Sequence, residues 1–338
     1  MIFSKHVALP YHYMANSNDR LLYVFEEGDP LVSLLSMGIT TTANHPVIED
    51  FGFATRWGDT LVLGVCDGMG GKPNGDKASS WAAHDMMALL QDPQFAPKPW
   101  DLGPQILELG QTLIQRFLAK ATSRCGTTLC MTVVRVNEDK SMTLYTLNFG
   151  DSGAYVATPT DTQTISLMNH KPSAPRCLET HSPEFLHYYD ENQLAMSTIA
   201  HPDDLQDASI ETQIQFRQRN LVTNALNGQE SGIPDDIPTP IVYIKHLPYP
   251  ELERATLFCA SDGVLDNLTR DQMTEAIKKG GVDNLVLQAI ETSQAHNTRS
   301  KRDDICVVSC LLGVVNKAMR HKFPPGVHPH VLIDDYFT

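Results

Sequence analysis

The residues in this chain best suited to chemistry are four aspartates, each in a sharp turn beside an apolar run: Asp67, Asp151, Asp262 and Asp303. They stand in Val65-Cys66-Asp67-Gly68-Met69-Gly70-Gly71, Asn148-Phe149-Gly150-Asp151-Ser152, Cys259-Ala260-Ser261-Asp262-Gly263 and Arg302-Asp303-Asp304-Ile305. Each run reads as a buried strand, so each carboxylate is presented at a strand end. Carboxylates on rigid strand ends suit a hard divalent cation, because Mg2+ and Mn2+ prefer oxygen ligands. Glycines after Asp67 allow unusual backbone geometry and close approach to a ligand, so the Gly68 carbonyl can offer a further oxygen. Taken alone, the segment is equally an ordinary Asp-Gly turn. Asp266 follows Asp262 by four residues, so a helical turn would put both on one face. The plainer alternative is that Asp262 caps the next helix. Glu49-Asp50 and Asp303-Asp304 are weak signals singly, since acidic residues beside strands are commonly solvated.

Strands and helices must hold these turns in place. Residues 60–66 are almost continuously apolar, as in a strand covered on both faces. Residues 131–136 and 142–149 flank the polar turn Asn137-Glu138-Asp139-Lys140, a hairpin pattern. Residues 257–260 and 305–312 supply two more strands. Amphipathic helices are expected over 77–90 and 105–121. Thr269 and Gln272 resemble a capping box that opens a short helix ending at Gly280-Gly281. Another helix is expected over 285–295, with Asp283 as its cap. Strands and helices do not alternate regularly and hairpins are present. That favours antiparallel sheets with helices packed outside them over a doubly wound parallel sheet.

The 338 residues are 42% apolar, enough for a substantial core, and the formal net charge is −14. Such acidity argues against nucleic acid or an anionic membrane as the main partner. The seven cysteines form no Cys-x-x-Cys pair, which makes a zinc ribbon or thioredoxin-like motif a poor fit. Cys66, Cys259, Cys306 and Cys310 lie in apolar strand runs and read as reduced core residues, pointing to the cytoplasm. No signal-peptide segment opens the chain, and the apolar run 307–315 is too short to span a bilayer. A soluble protein without membrane insertion is expected. One domain is expected over 37–315, with a polar flap or insertion over 180–217. An extension over 1–36 carries a candidate edge strand at 21–25, and a tail covers 316–338.

Together the segments are far more specific than any one of them. In order they are His45-Pro46-Val47-Ile48-Glu49-Asp50, Asp67 to Gly71, Gly126-Thr127-Thr128, Gly150-Asp151-Ser152-Gly153-Ala154-Tyr155 and Asn169-His170-Lys171-Pro172. Then come Arg219-Asn220-Leu221-Val222-Thr223-Asn224-Ala225-Leu226, Ala260-Ser261-Asp262-Gly263-Val264-Leu265-Asp266 and Asp303-Asp304-Ile305-Cys306-Val307-Val308. From about residue 38 to residue 312, the chain resembles the type 2C metal-dependent protein serine/threonine phosphatases. The resemblance implies an α+β fold, a central antiparallel β-sandwich flanked by helices on both faces. It implies two Mg2+ or Mn2+ ions bridged by Asp67, with the Gly68 carbonyl, Asp262 and Asp303 completing their protein ligands. Glu49 and Asp50 would act through metal-bound waters, and Asp151, Asp262 and Asp266 would hold a weaker third ion. The implied activity is hydrolysis of phosphoserine and phosphothreonine in a phosphoprotein partner, by attack of a metal-bridging water or hydroxide. Asp67, Asp262 and Asp303 are its expected catalytic residues, and a monomer is expected.

Two departures from the family stand out. His45 occupies the place where the family usually has an arginine that grips the substrate phosphate. Histidine donates one hydrogen bond and is only conditionally charged, which invites help from Arg56 or Lys72. Met69 stands where many eukaryotic members have a histidine proposed as general acid; many bacterial members have methionine here too. Asn169 replaces a common aspartate. His45 keeps open a phosphoprotein-binding module without catalysis, and the unread substrate pocket keeps open a phosphatase of small phosphorylated molecules.

Overall fold

In a computed structural model, the structure describes residues 9–10, 20–24, 32–42, 47–57, 60–69, 74–98, 102–121, 125–139, 141–157, 162–164, 198–217, 222, 224–228, 238–247, 255–295 and 298–312. The continuous apolar run of β5 (Thr60–Cys66) is buried along its whole length, as its sequence predicts. It lies inside a six-stranded antiparallel sheet. In spatial order that sheet is β1 (Leu9–Pro10), β4 (Phe51–Trp57), β5, β7 (Leu129–Val136), β8 (Met142–Phe149) and β12 (Ile241–Leu247). A second six-stranded sheet runs β10 (Thr162–Thr164), β9 (Gly153–Ala157), β13 (Thr256–Ala260), β14 (Asp304–Leu312), β3 (Val32–Thr41) and β2 (Arg20–Val24). A short ladder pairs β6 (Gly126–Thr127) with β11 (Leu226–Asn227).

The two-residue period of a strand sorts the apolar side chains into layers. From β5, Leu61, Leu63 and Val65 pack between the sheets with Cys259 and Val308. Val62 and Cys66 point the other way, to α1 (Gly75–Gln91) and α2 (Gly103–Lys120), where Met86 and Phe117 are buried. β14 splits likewise. Cys306, Val308 and Cys310 face the other sheet, while Ile305 and Val307 meet Leu285 and Ala289 of α6 (Arg270–Gln294). The order is helix, sheet, sheet, helix.

Local chemistry accounts for the boundaries. The β7–β8 hairpin pairs Val136 with Met142 and Leu129 with Phe149. Its turn is held by Asp139 Oδ1, which accepts from the Ser141 amide at 3.0 Å. At the start of α6, Thr269 N donates to Gln272 Oε1 (2.8 Å) and Gln272 N to Thr269 Oγ1 (3.2 Å), the expected capping box. The helix breaks at Gly280-Gly281, where Gly281 has φ 66°, so 285–295 follows as a second helical stretch.

Part of the expected flap is helical. α3 (Pro202–Asp207) and α4 (Ile210–Arg217) lie within 198–217, and Phe216 is buried beneath the Arg299 guanidinium, 5.5 Å from its ring centre. The rest of the flap and the tail 316–338 lie outside the described residues. β2 is the edge of the second sheet, and β3 crosses the expected boundary at 36/37. Among the described residues no helix is long and apolar enough to cross a membrane.

Candidate active site

The strand ends converge at one end of the two sheets. Asp67, leaving β5, is fixed by hydroxyl groups. Its amide donates to Thr128 Oγ1 (3.1 Å), and its carbonyl accepts from Thr128 N and Thr127 Oγ1, both at 2.8 Å. Thr128 Oγ1 lies 2.7 Å from Ser152 Oγ, the residue after Asp151. One hydroxyl pair therefore ties the Asp67 turn to the Asp151 turn. Gly68 donates its amide to the Glu49 carbonyl (3.1 Å). A Cβ there would stand 2.6 Å from that same oxygen and 2.6 Å from the Gly75 carbonyl. Among the described glycines only Gly150 and Gly281 have positive φ. Gly68 is thus required for close approach rather than for left-handed backbone.

The other side of the cluster is built around a short helix. After β13, Ser261 exchanges hydrogen bonds with Cys306 of β14: Ser261 N donates to the Cys306 carbonyl (3.0 Å) and Cys306 N to Ser261 Oγ (2.9 Å). α5 (Asp262–Leu265) begins there, and Asp266 N donates to the Asp262 carbonyl at 2.7 Å, which puts both carboxylates on one face. Gly263 lies directly against β14; a Cβ on it would fall 1.8 Å from the Asp304 carbonyl oxygen. Asp303 is anchored by Thr42, whose amide and hydroxyl both reach its carbonyl, at 2.9 and 3.0 Å. Asp304 Oδ2 accepts from the Glu49 amide at 2.5 Å.

Carboxylate oxygens of Asp67, Asp151 and Asp262 all lie within 4.8 Å of one another. Lys301 brings in the remaining pair: its ammonium bridges Asp262 Oδ2, Asp303 Oδ2 (3.0 Å) and Asp266 Oδ2 (3.1 Å). Asp50 is buried close enough to Asp303, Asp304 and Asp262 to be raised by their charges. The Glu49 carboxylate stands beside Gly75, where a Cβ would come within 2.9 Å of Oε1. Arg56 pairs with Leu61, five residues along β4 from Phe51, hence roughly 16 Å up the strand. His45, Lys72 and Asn169 lie outside the described residues.

Crowding of acids in a buried place has an electrostatic consequence. Burial, then the neighbouring charges of Asp50 and Asp262, pushes the Asp67 carboxyl well above the usual range. Asp151 is pushed up by burial and by Asp262 and Asp266, with Lys301 opposing. Asp50 rises through burial and Asp304. Asp303 is pushed up to about 6 by burial and Asp262, with Lys301 opposing. Burial lowers Lys301, but Asp262, Asp266 and Asp303 outweigh it, and the net shift is upward. Among the described residues, both carboxylate oxygens of Asp151 and Oδ1 of Asp262 are buried without a hydrogen-bond partner. An all-oxygen donor set with orphaned buried acceptors fits a hard cation such as Mg2+ or Mn2+. Burial, then Asp50, pushes the Cys66 and Cys306 thiols upward, which disfavours the thiolate form.

Sequence reasoning missed Lys301 and the hydroxyl network. Thr128 and Ser152 lie in the Gly126-Thr127-Thr128 and Gly150-Asp151-Ser152 segments, and their signal is a hydroxyl beside each aspartate turn. Lys301 carried the signal of a base two residues from Asp303.

No family model matches the sequence, and no curated protein does. Solved structures do share its fold. The catalytic domain of the serine/threonine protein phosphatase PstP, in complex with two manganese ions, is 17% identical, with 87% of this chain and 100% of that chain covered and a TM-score of 0.54. The Mycobacterium tuberculosis serine/threonine phosphatase PstP/Ppp is 19% identical over 86% of this chain and 98% of its own, with a TM-score of 0.52. The Mycobacterium smegmatis PPM Ser-Thr phosphatase MsPP, in complex with cacodylate, is 18% identical over 83% and 99%, with a TM-score of 0.54. The α+β fold is that of the type 2C, or PPM, phosphatases.

Proposed function

We propose, starting from the type 2C phosphatase fold, that this chain is a metal-dependent phosphatase that hydrolyses phosphoserine and phosphothreonine in proteins. The observation that carries this reading is the mutual approach of Asp67, Asp151 and Asp262 within 4.8 Å, with buried oxygens of Asp151 and Asp262 that no hydrogen bond satisfies among the described residues. Asp67, the Gly68 carbonyl, Asp262 and Asp303 would hold two Mg2+ or Mn2+ ions. Glu49 and Asp50, at the edge of that set, would orient water around them. Such ions, when bound, supply an activated water and neutralise charge on the phosphoryl oxygens.

The chain's own residues do the positioning. Thr127 and Thr128 fix the Asp67 main chain, and Gly68 and Gly263 let the Asp67 and Asp262 turns pack against neighbouring backbone. Met69 donates its amide to the Gly126 carbonyl (2.9 Å) and its side chain packs on Gly126; a thioether has no ionisable proton to give a leaving group. Among the described residues the buried thiols Cys66, Cys125, Cys130, Cys259, Cys306 and Cys310 form no disulfide, which supports a reducing, cytoplasmic setting.

Phosphate release from a phosphothreonine peptide with Mn2+ tests the proposal. Asp67→Asn should remove several kcal/mol of transition-state stabilisation, a loss of roughly 10³-fold. No release by wild type, with Asp67→Asn indistinguishable from it, would sink the enzymatic reading. Much faster turnover of small phosphorylated metabolites than of phosphopeptides would reassign the substrate class.

A further inference from the structure

Lys301 is an unusual component of such a cluster. Its ammonium lies within ion-pair distance of three carboxylates: Asp262 of α5, Asp266 just after it, and Asp303 in the lead-in to β14. The fully buried Asn267 clamps its main chain, accepting from Lys301 N (2.8 Å) while its amide nitrogen donates to the Lys301 carbonyl (2.8 Å) and the Gly263 carbonyl (2.7 Å). Two residues upstream the buried Arg299 donates to the carbonyls of Leu265 (2.7 Å) and Ile199 (2.8 Å). The segment that carries Lys301 is therefore fastened to α5, which carries Asp262 and ends directly before Asp266.

We propose that the Lys301 ammonium is a resident cation of the metal centre, filling the role that a third divalent ion would otherwise take beside Asp262 and Asp266. It rests on the reading of the acidic cluster as a metal centre. The charges divide accordingly. Asp262 Oδ2 accepts a hydrogen bond from the ammonium, and Asp303 Oδ2 and Asp266 Oδ2 stand within ion-pair distance of it. Among the described residues, Asp262 Oδ1 and both oxygens of Asp151 are met neither by the ammonium nor by another hydrogen bond. A further divalent ion on Asp262 and Asp266 would sit against a positive charge in a poorly solvated place, where repulsion is weakly screened. Asp266 becomes a ligand of lysine rather than of metal, and the chain binds two ions, not three.

Equilibrium dialysis against millimolar Mn2+, with bound metal counted by mass spectrometry, tests this. Wild type should hold two ions, Lys301→Met three and Lys301→Arg two. Asp266→Asn should still hold two. Three ions on wild type, or only two on a folded Lys301→Met protein, overturns the lysine's role. Should Lys301→Met fail to fold, wild type and Asp266→Asn still decide: loss of one ion in Asp266→Asn makes Asp266 a metal ligand and overturns it. Wild type that binds no Mn2+ overturns the metal centre itself and this inference with it. Wild type that binds two ions and loses metal in Asp67→Asn keeps the metal centre whatever Lys301→Met does.

Discussion

Asp67 and Asp151 are held by hydroxyl groups and backbone, whereas Asp262, Asp266 and Asp303 are held by an ammonium group. On the first side, Thr127, Thr128 and Ser152 fix the turns without bringing any charge. Burial and mutual repulsion are left unopposed around Asp67, whose carboxyl is driven well up. On the second side Lys301 opposes the same forces, and Asp303 is pushed only to about 6. Geometry can thus be set with or without neutralisation. A side that is positioned but not neutralised is complete only when something positive or a proton arrives; the lysine side is partly neutralised already, with Asp262 Oδ1 still open to a cation.

The largest way to break this contrast is at Gly263, where the second side depends on contact between α5 and β14. Gly263→Ala puts a methyl group where the Asp304 carbonyl stands, so the backbone must move. Overpacking of this kind costs about 3 kcal/mol. Urea unfolding should show a large drop in midpoint at unchanged slope. Wild-type stability in the variant would mean that the contact of α5 with β14 is not tight.

The first side is tested at Thr128. Thr128→Val keeps the shape and removes the hydroxyl that joins the Asp67 amide to Ser152. The expected cost is about 1–2 kcal/mol of stability, because the buried partners lose a hydrogen bond. Mn2+ affinity should fall roughly 10- to 100-fold, as when groups that orient metal ligands are removed. Thr128→Ser should recover most of both. Loss of stability without loss of affinity, measured by titration calorimetry, would make Thr128 structural only.

These differences also explain what could be read from the residues alone. Asp67, Asp151, Asp262 and Asp303 were legible because each lies next to its own apolar strand, a local pattern. β5 and β14 were legible because both their faces are buried. β4 was not, since Gly52, Ala54 and Arg56 interrupt its apolar pattern. β9 has only five residues, and β12, at the edge of its sheet, exposes Ile244 and His246. Lys301 sits in Arg299-Ser300-Lys301-Arg302, which by composition reads as a solvated basic loop. Its pairing with Asp262, 39 residues away, is imposed by Asn267 and α5, and no short-range pattern encodes it.

The smallest effect, and the one that sharpens the contrast most, is the pH dependence of the metal-free protein. A carboxyl raised in the folded state binds its proton more tightly there than in the unfolded chain. Between the ordinary aspartate value of 3.8 and the folded value of about 6 for Asp303, the folded protein holds the extra proton. Stability of the metal-free protein should therefore fall as pH rises through that window, by on the order of 1 kcal/mol. Asp50, Asp67 and Asp151, also raised, act in the same direction. Saturating Mn2+ should invert the slope, because bound metal holds the carboxylates deprotonated and is released by acid. Thermal melts across this window, with and without Mn2+, check both signs; parallel curves would show that these carboxylates do not bind the ion. Lys301→Met should steepen the metal-free fall, since the ammonium that holds Asp303 down is gone.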